Sequence, residues 1–434
     1  MATLSALIGI VCSTPENGLN GEGVEYFSMS EKALHGLNVI EWAEFVSGPY
    51  CGKLLADLGA NVIKIEKPGC GDSARAYGPF PRDLPHHESS GLFLYLNTNK
   101  LGVTLDTASA SGAKVFRRLL EQADILIENH PPGEVAELGF DYESLAAVNP
   151  RLIVTSITPF GQTGPFRDYR SCNLVSFHTS GMAFINPSEG VEDTERDAPL
   201  KAPEHQGDLM AGLSAAVATM CAVMGREVTG QGQHVDVSEQ EALASIMRRE
   251  LGVYTIEGVT WTRQKGSLLG QTSDVYQCGV GAVHLSCSGD RHWPCWVEVM
   301  GNPEWATSEI FLDQALRREN WDAAKVMIEE WLAEHTADEV VSLAEAVRVP
   351  CRQVNTAREL VESDLLDSRD YFAELDHEVA GQVILPGAPY KLSETPWSVS
   401  RPAPRLGQHN VEVYCDRLGY SRDDLVHMRA EGVV

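Results

Sequence analysis

The chain has 434 residues, 43% of them apolar, enough to build a sizeable core divided over two or three lobes. Its formal net charge of -27 repels phosphate backbones and anionic lipid, so nucleic acid and membrane surfaces are excluded as partners, and any anionic ligand needs a local basic pocket. Ten scattered cysteines without a CxxC pair or zinc spacing read as reduced thiols of a cytoplasmic protein. No apolar run looks long enough to span a bilayer, and Met1–Cys12 lacks the leading positive charge of a signal peptide.

Residues 1–33 read as an N-terminal extension, and regular structure is expected from Leu37. Leu37–Trp42 is a short apolar strand, Pro49–Leu58 a helix ended by Gly59, and Val62–Glu66 a second strand. A helix over Ser109–Gln122 precedes a strand at Ile125–Glu128. A short helix at Tyr142–Val148 precedes another strand at Leu152–Ile157. Strands and helices alternating at this spacing predict an α/β fold with a mostly parallel sheet wrapped by helices. A long apolar helix over Leu209–Met224 follows, with Asp208 at the N-cap position and the turn Thr229–Gly232 closing it. Gln233–Ser238 is strand-like and leads into a helix from Glu239.

The division that follows is a large domain from 34–228, a linker at 229–270, a smaller α+β domain at 271–350, and a return over 351–434 to the large domain. Trp293 and Trp296 fall in the smaller domain, either as core or as the lining of an acyl pocket. Helices are expected at Trp321–Thr336, Ala337–Val347 and Val411–Gly419, with a proline-containing arm at Arg401–Gly407.

No Walker loop, dinucleotide glycine fingerprint, zincin, serine-hydrolase elbow or kinase motif is present. Instead a series of short segments stands in order. It starts with Val46-Ser47-Gly48-Pro49, then Val62-Ile63-Lys64-Ile65-Glu66-Lys67-Pro68 with Gly71-Asp72 and Arg75. Leu96-Asn97-Thr98-Asn99-Lys100, Val103-Thr104-Leu105-Asp106 and Ile127-Glu128-Asn129 follow. Asn149-Pro150-Arg151, Phe160-Gly161-Gln162-Thr163-Gly164-Pro165, Gly207-Asp208 and the run from Thr229 to Ser238 complete it.

Together these segments resemble the class III CoA-transferases, the carnitine-dehydratase or bile-acid-inducible family that includes formyl-CoA transferase. The resemblance runs from about Leu37 to Ala244 and returns more loosely at the carboxyl end. It implies a Rossmann-like large domain built from both chain ends, a smaller domain, and an interlocked homodimer. It implies that CoA moves from an acyl-CoA to a small carboxylic acid, with acyl-CoA as substrate and no tightly bound cofactor or metal.

Asp208 aligns with the family's catalytic aspartate. As an N-cap alone it would contribute about 1 kcal/mol to its helix. The two roles are compatible, because helix-terminal amides favour a carboxylate there and can later stabilise an oxyanion. A carboxylate suits the chemistry, since it can attack the acyl carbonyl and carry the activated group as an anhydride and then as a thioester, provided water is excluded.

By family position Glu44, Phe45, Val46, Lys67, Leu105, Asn129 and Arg170 correspond to CoA contacts. Arg75, Lys64, Lys100 and Arg167 join Lys67 and Arg170 as basic residues near these motifs. Any one alone reads as solvated surface charge, but their clustering in an acidic chain favours contacts to phosphate, and Arg75 is counted among the CoA-binding residues. A lysine often found in the family after the Leu105 segment is Ala108 here.

Two departures point away from oxalate. Val46 stands where oxalate-specific relatives have Gln, and Lys265–Gln271 replaces a four-glycine run, although Gly266 and Gly270 could still hinge a lid.

Racemising relatives use a histidine whose position falls on Cys172, which leaves His178 as the base for an isomerase or epimerase alternative. A non-catalytic acyl-CoA-binding protein on the same fold is a third reading, opposed by the intact Gly207-Asp208 pair.

Overall fold

The computed structural model describes residues 32–187, 191, 193–263 and 273–434. The extension up to residue 31 and the Lys265–Gln271 segment lie outside the described residues.

Six short strands form one parallel sheet: β1 (Asn38–Trp42), β2 (Asn61–Glu66), β3 (Leu101–Thr104), β4 (Ile125–Glu128), β5 (Ile153–Thr158) and β6 (His234–Ser238), in the order β3-β2-β1-β4-β5-β6. This is the strand order of doubly wound Rossmann-type sheets. Val39 pairs with Val62 on one side and with Ile125 on the other, which fixes the register at the centre. The strands read as nearly continuous apolar runs because both faces are covered. The two-residue period then divides them. Ile40, Trp42, Ile63, Ile65, Leu126 and Val154 join one core. Val39, Val62, Ile125, Ile127, Ile153 and Ile157 join the other.

Helices α1 (Ser47–Asp57) and α2 (Gly91–Leu96) follow β1 and β2, and α3 (Ala110–Leu120) follows β3. Ser109 caps α3 by accepting from the Gly112 amide. The next helices are α4 (Pro132–Glu137), α5 (Tyr142–Val148), α6 (Asn173–Thr179), α7 (Gln206–Thr229) and α8 (Glu239–Ala244).

Helix α7 runs 24 residues, longer at both ends than the sequence reading, and Gly230 closes it in the left-handed conformation at φ 75°. By length and composition α7 could cross a bilayer, which corrects the reading that no apolar run is long enough. Here its small residues Ala211 and Ala215 are buried in the core it shares with Cys51 and Leu55 of α1. A Cβ on Gly212 would lie 2.5 Å from the Ser47 carbonyl oxygen, so glycine sets how closely the two helices approach.

The other face of the sheet packs on α3 and on the carboxyl terminus. Val413, Tyr414, Leu418 and Met428 share a core with Phe116 and Leu119. That terminal segment also covers the sheet edge at β3, a strand the sequence reading treated only as a motif. The Gly102 amide donates to His409 Nδ1 at 3.0 Å, the Thr104 amide to Asn410 Oδ1 at 2.9 Å, and Tyr414 OH to the Thr104 carbonyl at 2.8 Å. An edge strand leaves backbone groups unpaired, and these contacts satisfy them. A last helix, Arg422–Ala430, went unread in the sequence.

A separate core surrounds the antiparallel strands β7 (Ser273–Gln277), β8 (Ala282–Ser286) and β9 (Cys351–Gln353). Trp293 and Trp296 are fully buried in it, which makes them packing residues rather than a pocket lining. The hairpin β10 (Phe372–His377) and β11 (Gly381–Pro386) stands between that core and the carboxyl-terminal segment in the chain.

Candidate active site

In doubly wound sheets ligands bind outside the carboxyl ends of the strands, where the order reverses. That point lies between β1 and β4. The loop after β1 carries Glu44, Phe45 and Val46, Lys67 follows β2, Leu105 follows β3, and Asn129 follows β4. The fold therefore brings these expected positions to one edge of the sheet.

Asn129 joins two of the loops. Its Oδ1 accepts from the Glu44 amide at 2.9 Å, and its Nδ2 donates to the Glu44 carbonyl at 2.8 Å. Phe45 adopts φ 67°, a left-handed conformation uncommon for a bulky residue. The Asp72 side chain holds it there, accepting from the Phe45 amide at 2.9 Å. The Val46 and Leu105 side chains are buried core. Lys67 and Arg170 are exposed, and Arg167 pairs with its neighbour Asp168 at 3.2 Å.

The basic residues divide in a way the sequence did not show. Lys64 is wholly buried, 3.0 Å from Glu41, 2.7 Å from Asp72 and 3.0 Å from the Ala43 carbonyl oxygen. Lys100 is equally buried, 2.7 Å from Glu41, and burial lowers its pKa to about 8. Arg75 is 1% exposed, with Nε and Nη2 on the Glu66 carboxylate at 2.6 and 2.8 Å, Nη1 on Glu88 at 2.7 Å, and Nη2 also on the Pro404 carbonyl. Its hydrogen-bonding fork is committed inside the fold. This corrects the expectation that Arg75 contacts CoA. Lys64, Lys100 and Arg75 form the internal frame that holds the β1 loop in place.

Asp208 lies at this edge, but it does not occupy the N-cap. His205 is the N-cap of α7 and Asp208 is the third helical residue, inside the first turn and 6% exposed. The Asn173 side chain, from the first residue of α6, donates to Asp208 Oδ1 at 3.0 Å. His205 Nδ1 lies 3.3 Å from Asp208 Oδ2. Burial raises the Asp208 pKa above the usual aspartate value, while Asn173, His205 and Lys201 oppose that rise. Gly207 makes room for this arrangement, since a Cβ there would lie 2.7 Å from Asn173 Nδ2.

A second buried carboxyl adjoins this group. Glu239, the first residue of α8, accepts from Ser176 Oγ at 2.8 Å, one helical turn after Asn173. Burial and the Asp208 charge raise its pKa to about 7. Neither Glu239 nor His205 stood out in the sequence. Their only signals were adjacency to the Ser238 cap and to the Gly207-Asp208 pair. His178, the sequence candidate for a base, is exposed and bonds the Leu174 carbonyl of its own helix at 2.8 Å. His205 occupies the place beside Asp208 that the sequence reading gave to His178.

Two cavities meet at His205. A cleft of about 400 Å³ is lined by Phe45, Asn173, Lys201 and His205. A larger one of about 610 Å³ shares Tyr77, Glu204 and His205 with it. The His205 ring contacts Phe45 and Tyr77 edge-on, with centroids 4.8 and 5.2 Å away. Among the described residues no cluster of side chains is arranged to hold a metal ion.

The comparisons with known proteins agree with this architecture. The chain is 31% identical over 409 residues to the succinyl-CoA–D-citramalate CoA-transferase of Chloroflexus aurantiacus, covering 93% of this chain and 98% of the relative. It is 32% identical over 396 residues to the succinyl-CoA:(R)-benzylsuccinate CoA-transferase subunit BbsE of Thauera aromatica, covering 88% and 94%. The crystal structure of a CAIB/BAIF family protein from Brucella suis superposes with a TM-score of 0.80 at 27% identity, covering 89% of this chain and 99% of that one. The family model of CoA-transferase family III matches residues 34–410, so the chain that carries this buried Asp208 belongs to CoA-transferase family III.

Proposed function

We propose that this enzyme moves CoA from an acyl-CoA to a free carboxylic acid through covalent intermediates on Asp208. The observation that carries the reading is the Asp208 carboxylate itself, buried in the first turn of α7 and held by Asn173 beside the loop after β1. Asp208 attacks the acyl-CoA carbonyl carbon. The C–S bond breaks, CoA thiolate leaves, and a mixed anhydride remains. The thiolate then attacks the aspartyl carbonyl, which releases the first acid as its carboxylate and leaves an aspartyl-CoA thioester. The acceptor carboxylate attacks that thioester and the sequence runs in reverse.

The first-turn amides of α7 and the Asn173 side chain are suited to the oxyanion that forms at each step. Burial limits the access of water to the anhydride. Glu44, Phe45, Val46, Lys67, Leu105, Asn129 and Arg170 are the proposed CoA-facing set, with Lys67 and Arg170 for phosphate and the backbones of Val46 and Leu105 for the chain. The protein is proposed to work as a cytoplasmic homodimer with no tightly bound cofactor.

Intact-protein and peptide mass spectrometry with an acyl-CoA panel and a hydroxylamine quench tests the relay. A hydroxamate on the Asp208 peptide, absent from Asp208→Ala, is the expected result. No adduct with any donor overturns it.

His205 beside Asp208 supports one alternative, α-proton exchange on an acyl-CoA with His205 as base. Deuterium wash-in from heavy water with a single acyl-CoA and no acceptor acid would favour that isomerase chemistry. No wash-in is expected.

A further inference from the structure

The larger cavity next to His205 differs in character from the cleft beside it. Tyr77, Phe80, Leu92, Tyr95, Val383 and Leu385 supply much of its wall. Three separate parts of the chain build it: the stretch from Tyr77 to Tyr95, the turn before α7, and strand β11. At about 610 Å³ it has the size of a small-molecule site rather than of a packing defect.

Among the described residues no lysine or arginine lines this cavity, and Glu204 is the one carboxylate in its wall. Lys201 lines the neighbouring cleft instead. His205 stands between this cavity and Asp208: it lines the cavity, and its Nδ1 is 3.3 Å from the Asp208 carboxylate, which is not itself part of the wall.

From this wall we infer that the cavity holds the organic body of the acceptor acid, and that the acid is a monocarboxylate with an aryl or branched alkyl body. The inference rests on Asp208 being the reacting carboxylate. An acid bound this way turns its carboxylate towards Asp208 and its apolar body towards Leu92 and Leu385. A dicarboxylate of the succinate or malate type would bring its second charge into an apolar wall with no lysine or arginine among the described residues to meet it and with Glu204 to repel it. Unpaired burial of a charge is among the most costly events in recognition. Selection of roughly 100-fold or more against such acids is therefore expected.

Two readouts separate this inference from the relay. Calorimetric titration of the full chain with phenylacetate, 3-phenylpropionate, isovalerate, succinate and malate, each with CoA present, measures acid binding without turnover. Hydroxylamine trapping on the same preparation reports the Asp208 intermediate on its own. The aryl and branched monocarboxylates should bind roughly 100-fold more tightly than succinate or malate.

Two substitutions then probe the wall. Leu92→Trp should weaken 3-phenylpropionate more than isovalerate. Ile384→Lys, at an exposed position on the cavity rim, should move the succinate-to-phenylacetate affinity ratio towards succinate by about tenfold. Succinate or malate binding as tightly as the aryl acids overturns the inference. So does a ratio unmoved in both variants, even when the Asp208 adduct is seen. Selective binding of aryl acids without an adduct would uphold the cavity assignment and sink the relay.

Discussion

Asn173 donates a 3.0 Å hydrogen bond to Asp208 from the first position of α6, so one helix start orients the carboxylate at another. Charge-assisted bonds of this kind are worth about 1.5–3 kcal/mol. Asn173→Ala should lower kcat for CoA transfer by roughly 10- to 100-fold. Steady-state assays with one acyl-CoA and one acid would check this. Unchanged kcat would remove Asn173 from the site.

Gly207 lets that contact form. A Cβ at this position would lie 2.7 Å from Asn173 Nδ2 and 3.3 Å from Leu243 Cδ1. Gly207→Ala should displace Asn173 and lower kcat about as much as Asn173→Ala does. The double variant should then be little worse than either single one, because the two act on one contact. Additive losses in that cycle would contradict the shared mechanism.

Glu239 and Glu128 are both buried carboxyls whose pKa is raised to about 7, chiefly by burial. Asp208 adds to the rise at Glu239, while Ser176 and Ser47 oppose it; at Glu128 the rise is opposed by Ser156 and the His130 amide and aided by Asp236. The native state holds these protons at a pH where the unfolded chain releases them. Their stabilising contribution is thus full below the ordinary glutamate range and is lost as pH rises through about 7. Glu239→Gln should flatten part of this decline. Melting temperatures of wild type and Glu239→Gln between pH 5 and pH 8 would show it. Parallel profiles would exclude Glu239 as a source.

Lys64 pairs with Glu41 and Asp72 where all three side chains are fully buried. Removing the cation alone leaves the buried Asp72 carboxylate without its counterion, while Glu41 keeps Lys100 at 2.7 Å. Breaking one side of a buried pair costs about 3–5 kcal/mol. Lys64→Met should therefore lower the melting temperature markedly. It should also loosen the loop after β1, because Asp72 holds the Phe45 amide and Lys64 holds the Ala43 carbonyl. A melting temperature equal to wild type would show that the network relaxes without it.

Much of the sheet was legible along the chain. Continuous apolar runs marked β1, β2, β4 and β5, and helix periodicity marked α3 and α5. Strand β3 was missed because Leu101–Thr104 is only four residues with a central glycine, and its edge is completed by residues some 300 positions away. Asp208 reads as an N-cap in the sequence, a place that His205 takes, because α7 begins three residues earlier than its apolar pattern suggests.

The sequence by itself determined the alternation of strands and helices and the ordered motifs of the family, and it singled out Asp208 as a candidate. Local spacing and residue type carry that information. Only the tertiary structure decided which charged residues are internal and which histidine reaches Asp208. Lys64, Lys100 and Arg75 look like surface cations in one dimension, yet each is buried against carboxylates, and Arg75 also bonds the carbonyl of Pro404. His178 and His205 both precede Asp208, but the helical phase of α6 turns one outward and the start of α7 sets the other against the carboxylate. Burial and partners come from packing between segments distant in the chain, and no local pattern encodes them.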